Sequence, residues 1–245
     1  MHQDFYKFIY HIRHPLFFLL ILWLVEVADV YFSLGLTVLG IYPREWSGLL
    51  GIFTSPFVHS TWGHLASNSF PILSLTSIMV LFYRKVAYQS FASVMVGTGL
   101  MVWLFARPSY HIGASGLVYG LIAFIFWTGI FKKNPKSIIL SLIILTLYAG
   151  SIEGIFPNVA ENISWESHLF GALVGLVVAF VFKSVIEEDE MQYHAPPSWA
   201  YENQIKQFFL PRDTFEKTKY QRYLDYLEAE RLRIEFQRLN ELGEN

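Results

Sequence analysis

The chain has 245 residues, 53% of them hydrophobic and 18% aromatic but only 16% charged, with a mean hydropathy of +0.37. A soluble domain carries about 25% charged residues, and a net charge of −2 gives none of the polyelectrolyte signature of a nucleic-acid binder. The absence of Cys excludes disulfides, thiol catalysis and thiolate metal sites.

The charge is unevenly spread. Residues 184–245 hold 8 of the 18 Lys and Arg and 13 of the 20 Asp and Glu. The first 183 residues are left with few charges, as a membrane-embedded domain requires. The division reads as a membrane domain over 1–186 and a charged, partly helical tail over 187–245 that lies in water.

Six apolar runs follow one another, at 16–39, 62–83, 90–106, 115–131, 138–152 and 165–185. Each approaches the ~20 residues a helix needs to cross ~30 Å of hydrocarbon, and two are short. Backbone polar groups in lipid must pair internally, so these runs are expected as helices in an all-α membrane bundle. The first run is too long for a signal-peptide core and has no small-residue cleavage site after it, which points to a retained helix. Glu26 and Asp29 sit inside it and should face the bundle, packed against polar partners.

Lys and Arg fix the expected direction. Lys7, Arg13, Arg84, Lys85, Lys132, Lys133, Lys136 and Lys183 gather on one side, and only Arg44 and Arg107 on the other. The side rich in Lys and Arg is cytoplasmic by the positive-inside rule, so both termini are expected in the cytoplasm. The second, fourth and sixth runs then begin at the outer face. Beyond them, the block 187–190 reads as solvated. Asp213 and Thr214 could cap a tail helix whose Tyr220, Leu224, Leu227 and Ile234 recur at rough helical spacing; partner binding or self-association is a possible use of it.

Polar side chains concentrate at those three outer ends. The second run opens with His59, His64 and Asn68, the fourth with Gly113-Ala114-Ser115-Gly116, and the sixth with Ser164 and His168. Polar groups at membrane depth are costly and usually functional. A Ser and a His that meet make a nucleophile and its base. His64 and Asn68 share a helix face at i and i+4 and can offer donors to an oxyanion. Gly116 and Gly120 on one helix, and Gly171 and Gly175 on another, allow the close approach that a short Ser side chain needs. The fourth run is only 17 residues, about 25 Å. Ser115 is therefore expected several Å below the outer surface, with 107–114 dipping to meet it beside a water-filled cavity. His111 is expected to hydrogen-bond loop backbone, and Glu166 is left outside the catalytic set.

These elements resemble the rhomboid family of intramembrane serine proteases. The resemblance rests on His59, on His64-Leu65-Ala66-Ser67-Asn68, on Gly113-Ala114-Ser115-Gly116, and on His168 followed by Gly171 and Gly175, over about residues 46–185. It implies a six-transmembrane-helix bundle in which Ser115 is the nucleophile and His168 the general base, with no acid orienting group. His64, Asn68 and the Ser115 backbone N–H would form the oxyanion hole, with Gly113 and Gly116 shaping the turn. Tyr119 corresponds to a family Tyr that packs on the catalytic His, and His59 to one that braces the first outer loop. The family often has a Trp-Arg pair in a long, lipid-embedded first loop; here Arg44-Glu45-Trp46 stand in reverse order in a short one.

The implied activity is endoproteolysis of transmembrane segments of other membrane proteins near the outer face, in a bacterial inner membrane. No cofactor or metal is expected. The expected partners are the lipid bilayer and substrates with a transmembrane helix. A small-solute transporter is the weaker alternative, because no internal repeat is visible. A rhomboid-like protein that only holds client helices would usually lack the Ser or the His.

Overall fold

The computed structural model describes residues 2–157, 164–190 and 216–243. In chain order the helices are α1 (His2–Phe32), α2 (Gly51–Thr54), α3 (Trp62–Phe82), α4 (Ala87–Phe105), α5 (Ser115–Lys132), α6 (Pro135–Tyr148), α7 (Trp165–Phe182) and α8 (Lys219–Gly243). Short 3-10 turns lie between them at Leu36–Leu39, Trp46–Leu49, Ser55–Phe57 and Ala149–Ile155. The described residues contain no strand; one antiparallel bridge joins Ile41 to His111.

Six helical stretches are long and apolar enough to cross a membrane: Ile9–Phe32, Trp62–Phe82, Ala87–Phe105, Ser115–Lys132, Pro135–Ile155 and Trp165–Phe182. The protein is an all-α integral membrane protein with a six-helix bundle. α5 runs through its centre, with 56% of its span enclosed by protein against 17% for α1 and for the fifth span. Leu117, Leu121, Phe124 and Ile125 of α5 meet Leu65, Ile72 and Leu75 of α3 in the main core.

The first run does not end where apolarity suggested. α1 stops at Phe32, and Ser33 and Gly35 turn the chain with positive φ before Leu36. Asp29 explains the stop: its Oδ1 accepts the Leu36 N–H at 3.1 Å, which favours a turn over further helix. Its partner is thus a backbone N–H. Glu26 is buried. The fifth run likewise leaves the α-helix at Tyr148 and continues as 3-10 turns to Ile155.

Caps set the starts of α3 and α7. Thr61 Oγ1 accepts the His64 N–H at 3.1 Å, and Ser164 Oγ accepts the Ser167 N–H at 3.4 Å. α5 and α7 form the closest pair. A Cβ added at Gly171 would land on the Gly116 carbonyl oxygen, and one at Gly175 on that of Gly120. Glycine lets the two backbones touch.

The acidic block 187–190 is not uniformly solvated. Glu187 and Glu190 are buried. Glu190 accepts from Lys132 Nζ at 3.0 Å and Asn134 Nδ2 at 2.9 Å, and pairs with Lys136 at 3.2 Å. Glu187 Oε2 accepts the Lys85 N–H at 3.1 Å. The basic residues of the loops attract the block, and the unit that carries the spans continues to Glu190.

The second unit contains α8, and most of its described residues are exposed. Its cap is reciprocal: Thr218 Oγ1 accepts the Gln221 N–H at 3.2 Å, and Gln221 Oε1 accepts the Thr218 N–H at 2.8 Å. The cap expected at Asp213 and Thr214 lies outside the described residues. Tyr220, Leu224, Leu227 and Ile234 are all exposed.

Candidate active site

Three helix starts converge at one face, and the site is built from them. His168 Nε2 and Ser115 Oγ are 2.8 Å apart. The contact joins the first turns of α5 and α7, the pair that the glycines bring together. His168 is buried, and its other ring nitrogen, Nδ1, lies 2.9 Å from the Gly154 carbonyl oxygen. A carbonyl can only accept, so Nδ1 carries the proton and Nε2 is left to accept from the Ser115 hydroxyl. Among the described residues, no carboxylate hydrogen-bonds the ring.

Tyr119 fixes the ring plane. It stacks on His168 with centroids 4.1 Å apart and planes 7° from parallel. Its hydroxyl donates to the Ser151 carbonyl at 2.7 Å. The 3-10 segment Ala149–Ile155 thus holds the imidazole twice, through Gly154 and through Tyr119. Gly154 has to lack a Cβ, because one would fall on the Tyr119 hydroxyl. Sequence reasoning missed Gly154, since a backbone carbonyl has no residue signature.

The turn before Ser115 is held from two sides. Gly113 has φ +99°, a conformation glycine adopts readily, and its N–H donates to the Ser55 carbonyl at 2.9 Å. A Cβ there would lie 2.6 Å from His64 Cε1, so the His64 ring packs directly on the turn. Ala114 N–H donates to His59 Nε2 at 3.4 Å. Burial pushes the His59 pKa down to about 4; neighbouring His64 adds to this and the Phe57 backbone opposes it. At neutral pH His59 is therefore an uncharged acceptor. Its contacts run to the turn and, ring edge to ring face at 5.0 Å, to His64.

Asn68 is buried below His64 on the same face of α3, and its Nδ2 donates to the His64 carbonyl at 3.1 Å. Ser60, His64, Asn68, Ser115, Ser164 and His168 all line one cavity of about 580 Å3. His111 is part of its wall rather than of the Ser–His pair. Its Nδ1 lies 2.6 Å from Ser164 Oγ and its Nε2 3.0 Å from the Arg107 carbonyl, while its backbone bridges Ile41. Burial lowers its pKa, with the Arg107 carbonyl opposing. Glu166 turns toward Arg107, 3.5 Å away, and not into the dyad.

The first loop is tied to the end of α4. Arg44 Nη1 donates to the Ala106 carbonyl at 2.8 Å, and Trp103 Nε1 to the Glu45 carbonyl at 2.9 Å. Trp46 is left 84% exposed, a position suited to a membrane–water interface.

Comparison with known proteins shows the family. The family model of the Rhomboid domain matches residues 44–185. An uncharacterised protein of Mycobacterium tuberculosis is 34% identical over 68% of this chain and 73% of its own length. YdcA of Bacillus subtilis, described as a candidate rhomboid protease, is 27% identical over 63% and 75%. A chloroplastic rhomboid-like protein of Arabidopsis thaliana is 26% identical over 64% and 61%. The match covers five of the six spans and every side chain of the Ser–His cluster, and the chain belongs to the rhomboid family of intramembrane proteases.

Proposed function

We propose that the protein is a serine endopeptidase that cuts transmembrane segments of other membrane proteins through Ser115 and His168. One observation carries the reading: a Ser hydroxyl and an imidazole 2.8 Å apart, opening on a large polar cavity. In the first step Ser115 Oγ bonds to the scissile carbonyl carbon while its proton moves to His168 Nε2. The C–N bond then breaks, and that proton leaves with the amine. In the second step a water from the cavity gives a proton to His168 and attacks the acyl carbon; the C–Oγ bond then breaks, His168 returns that proton to Ser115 Oγ, and the acid product leaves.

The oxyanion formed in both steps would face His64, Asn68 and the Ser115 N–H. The first N–H groups of α5 have no partner within the helix and point a positive dipole end at that spot. His59 and Gly113 would act by positioning, and Tyr119 by keeping the imidazole in plane. A substrate helix must unwind before its carbonyl can be attacked, so segments with small or helix-breaking residues should be favoured.

The Lys and Arg distribution supports cytoplasmic termini and a site at the outer face. The mycobacterial and bacillar relatives support a bacterial cell membrane. The test pairs fluorophosphonate labelling with cleavage of a tagged transmembrane substrate. Ser115→Ala should abolish both, and His168→Ala should do the same for want of a base. Near-wild-type cleavage by Ser115→Ala would sink the proposal.

A further inference from the structure

The face opposite Ser115 holds a second hollow, unconnected with the catalytic reading. It lies where α1, α3 and α4 meet. One part, about 290 Å3, is lined mainly by apolar side chains such as Phe17, Phe18, Ile21, Met79 and Phe91. A second part of about 240 Å3 shares His14, Val80, Ala87 and Tyr88 with it and adds Tyr10, His11 and Arg84. The lining thus passes from hydrocarbon to base within one continuous groove.

The basic end is ordered, and Arg13, just outside its lining, adjoins it through His14. The Arg13 guanidinium lies 3.8 Å over the Tyr10 ring, and its Nε donates to His14 Nε2 at 3.1 Å. His14 meets the Tyr88 ring edge at 5.8 Å. Arg84 Nε donates to the Leu81 carbonyl at 3.3 Å. His11 lies within electrostatic reach of Arg13, His14 and Arg84. No carboxylate lines either part among the described residues. Lys132 and Lys136 on the same face differ, because Glu190 and Asp189 neutralise them. Cations gathered above an apolar slot with no carboxylate in its described lining call for an amphiphile with an anionic head. Arg is suited to it, since its planar fork matches phosphate oxygens in pairs.

We propose that this groove binds one anionic phospholipid of the leaflet opposite Ser115, its phosphate among Arg13, Arg84, His11 and His14 and an acyl chain beside Phe17 and Phe91. Basic pockets between membrane helices recognise lipid head groups in this way.

The test uses the full chain purified in neutral detergent. Phosphatidylglycerol, phosphatidylcholine and inorganic phosphate are offered separately, and retained lipid is counted by native mass spectrometry. Wild-type protein should keep one phosphatidylglycerol in preference to phosphatidylcholine. Arg13→Gln with Arg84→Gln should weaken that retention about thirtyfold, at the usual strength of two cations near a bilayer surface. Lys133→Gln with Lys183→Gln removes the same charge from the same face but away from the groove, and should leave retention unchanged. Equal loss in both pairs, no preference between the lipids, or full displacement by inorganic phosphate would each overturn the assignment. A phosphatidylglycerol carrying a diazirine on its acyl chain gives a second reading without any variant. Crosslinks should concentrate in peptides covering 14–21 and 76–91; an even spread over all six spans would refute the groove.

Discussion

Adding one methyl group at Gly171 should separate the dyad. The new Cβ would fall on the Gly116 carbonyl oxygen, with the Gly116 carbonyl carbon at 3.1 Å and the Gly120 nitrogen at 3.2 Å. All three are backbone atoms of α5, so no side chain can swing aside. Relief requires α5 and α7 to part by about an ångström, and overpacking of this kind costs about 1–3 kcal/mol in stability. The Ser115–His168 contact bridges that same gap at 2.8 Å. A misplacement of ~1 Å in a reacting pair costs ~10²-fold in rate, or about 2.7 kcal/mol. Gly171→Ala should therefore label with a fluorophosphonate, and cleave a transmembrane substrate, about a hundredfold more slowly than wild type. Gly116→Ala provides the comparison. Its Cβ would meet Ser167 O and the Thr98 methyl, both at 3.1 Å, and the methyl can give way. That variant should stay within about tenfold of wild type. Gly175→Ala makes the same backbone clash one turn farther from His168 and should fall between them. Second-order labelling rates, taken on variants whose melting curves show a folded protein, decide the matter. A folded Gly171→Ala that labels as fast as wild type would show that the dyad does not depend on this helix contact.

Asn68→Ala and His64→Ala should each lower kcat ~10²–10³-fold while labelling remains detectable, since each removes one oxyanion donor of several; complete loss of labelling would place them in the dyad's own chemistry. Truncation after Glu190 should leave cleavage in detergent intact, whereas truncation after Ile186 removes the carboxylates that hold the Lys85 N–H, Lys132 and Lys136 and should lower the melting temperature. Acid should weaken the fold in two windows. Buried His59 refuses a proton until about pH 4 while its unfolded form takes one up near 6.5, so stability falls between those values. Burial alone would raise the Glu190 pKa, but the Glu187 N–H and the Lys132 and Lys136 ammonium groups outweigh it and hold the carboxyl at about 2. Stability from Glu190 is therefore present above 4.5 and lost as pH falls toward 2. The full shift is worth ~3 kcal/mol, reduced to about 1–2 kcal/mol by solvent screening at the loop surface. Glu190→Gln should flatten the lower window and His59→Phe the upper one in thermal melts; unchanged profiles would refute these assignments.

Much of this architecture is legible in the residues because lipid is an unforgiving solvent. A Ser or a His costs free energy at membrane depth, so its presence there is a signal, and Ser115, His168, His64 and Asn68 stand out on that ground alone. Glycine spacing likewise announces the α5–α7 contact before any coordinates are seen. Features that depend on backbone atoms leave no such trace. The Gly154 carbonyl that sets the His168 tautomer is one, and the turn that Asp29 imposes at the end of α1 is another. Glu187 and Glu190 escaped for a different reason: a run of acids reads as solvated unless the bases of distant loops are known to converge on it. The Thr218–Gln221 cap of α8 was readable, but Asp213 and Thr214 offered a rival start nearby.

The use of a carbonyl where soluble serine hydrolases use a carboxylate has a physical reason. A carboxylate buried behind His168 would lose its hydration and need several hydrogen bonds to offset the loss, at a depth where few donors are to hand. The Gly154 oxygen is neutral, already desolvated, and held at 2.9 Å by a segment that also fixes Tyr119. It orients the imidazole without adding charge to the membrane. In the proposed mechanism the cost would be a weaker field on the imidazolium formed when Ser115 gives up its proton. Glu166 stands two residues before His168, yet it turns to Arg107 at the rim. In the proposed mechanism His168 would work as a base oriented by geometry rather than by a counter-ion. Gly154→Ala should therefore slow the reaction by displacing the Tyr119 hydroxyl and the His168 ring, although it removes no ionisable group. Retention of wild-type kcat by a folded Gly154→Ala would show that the imidazole is held by something other than this carbonyl.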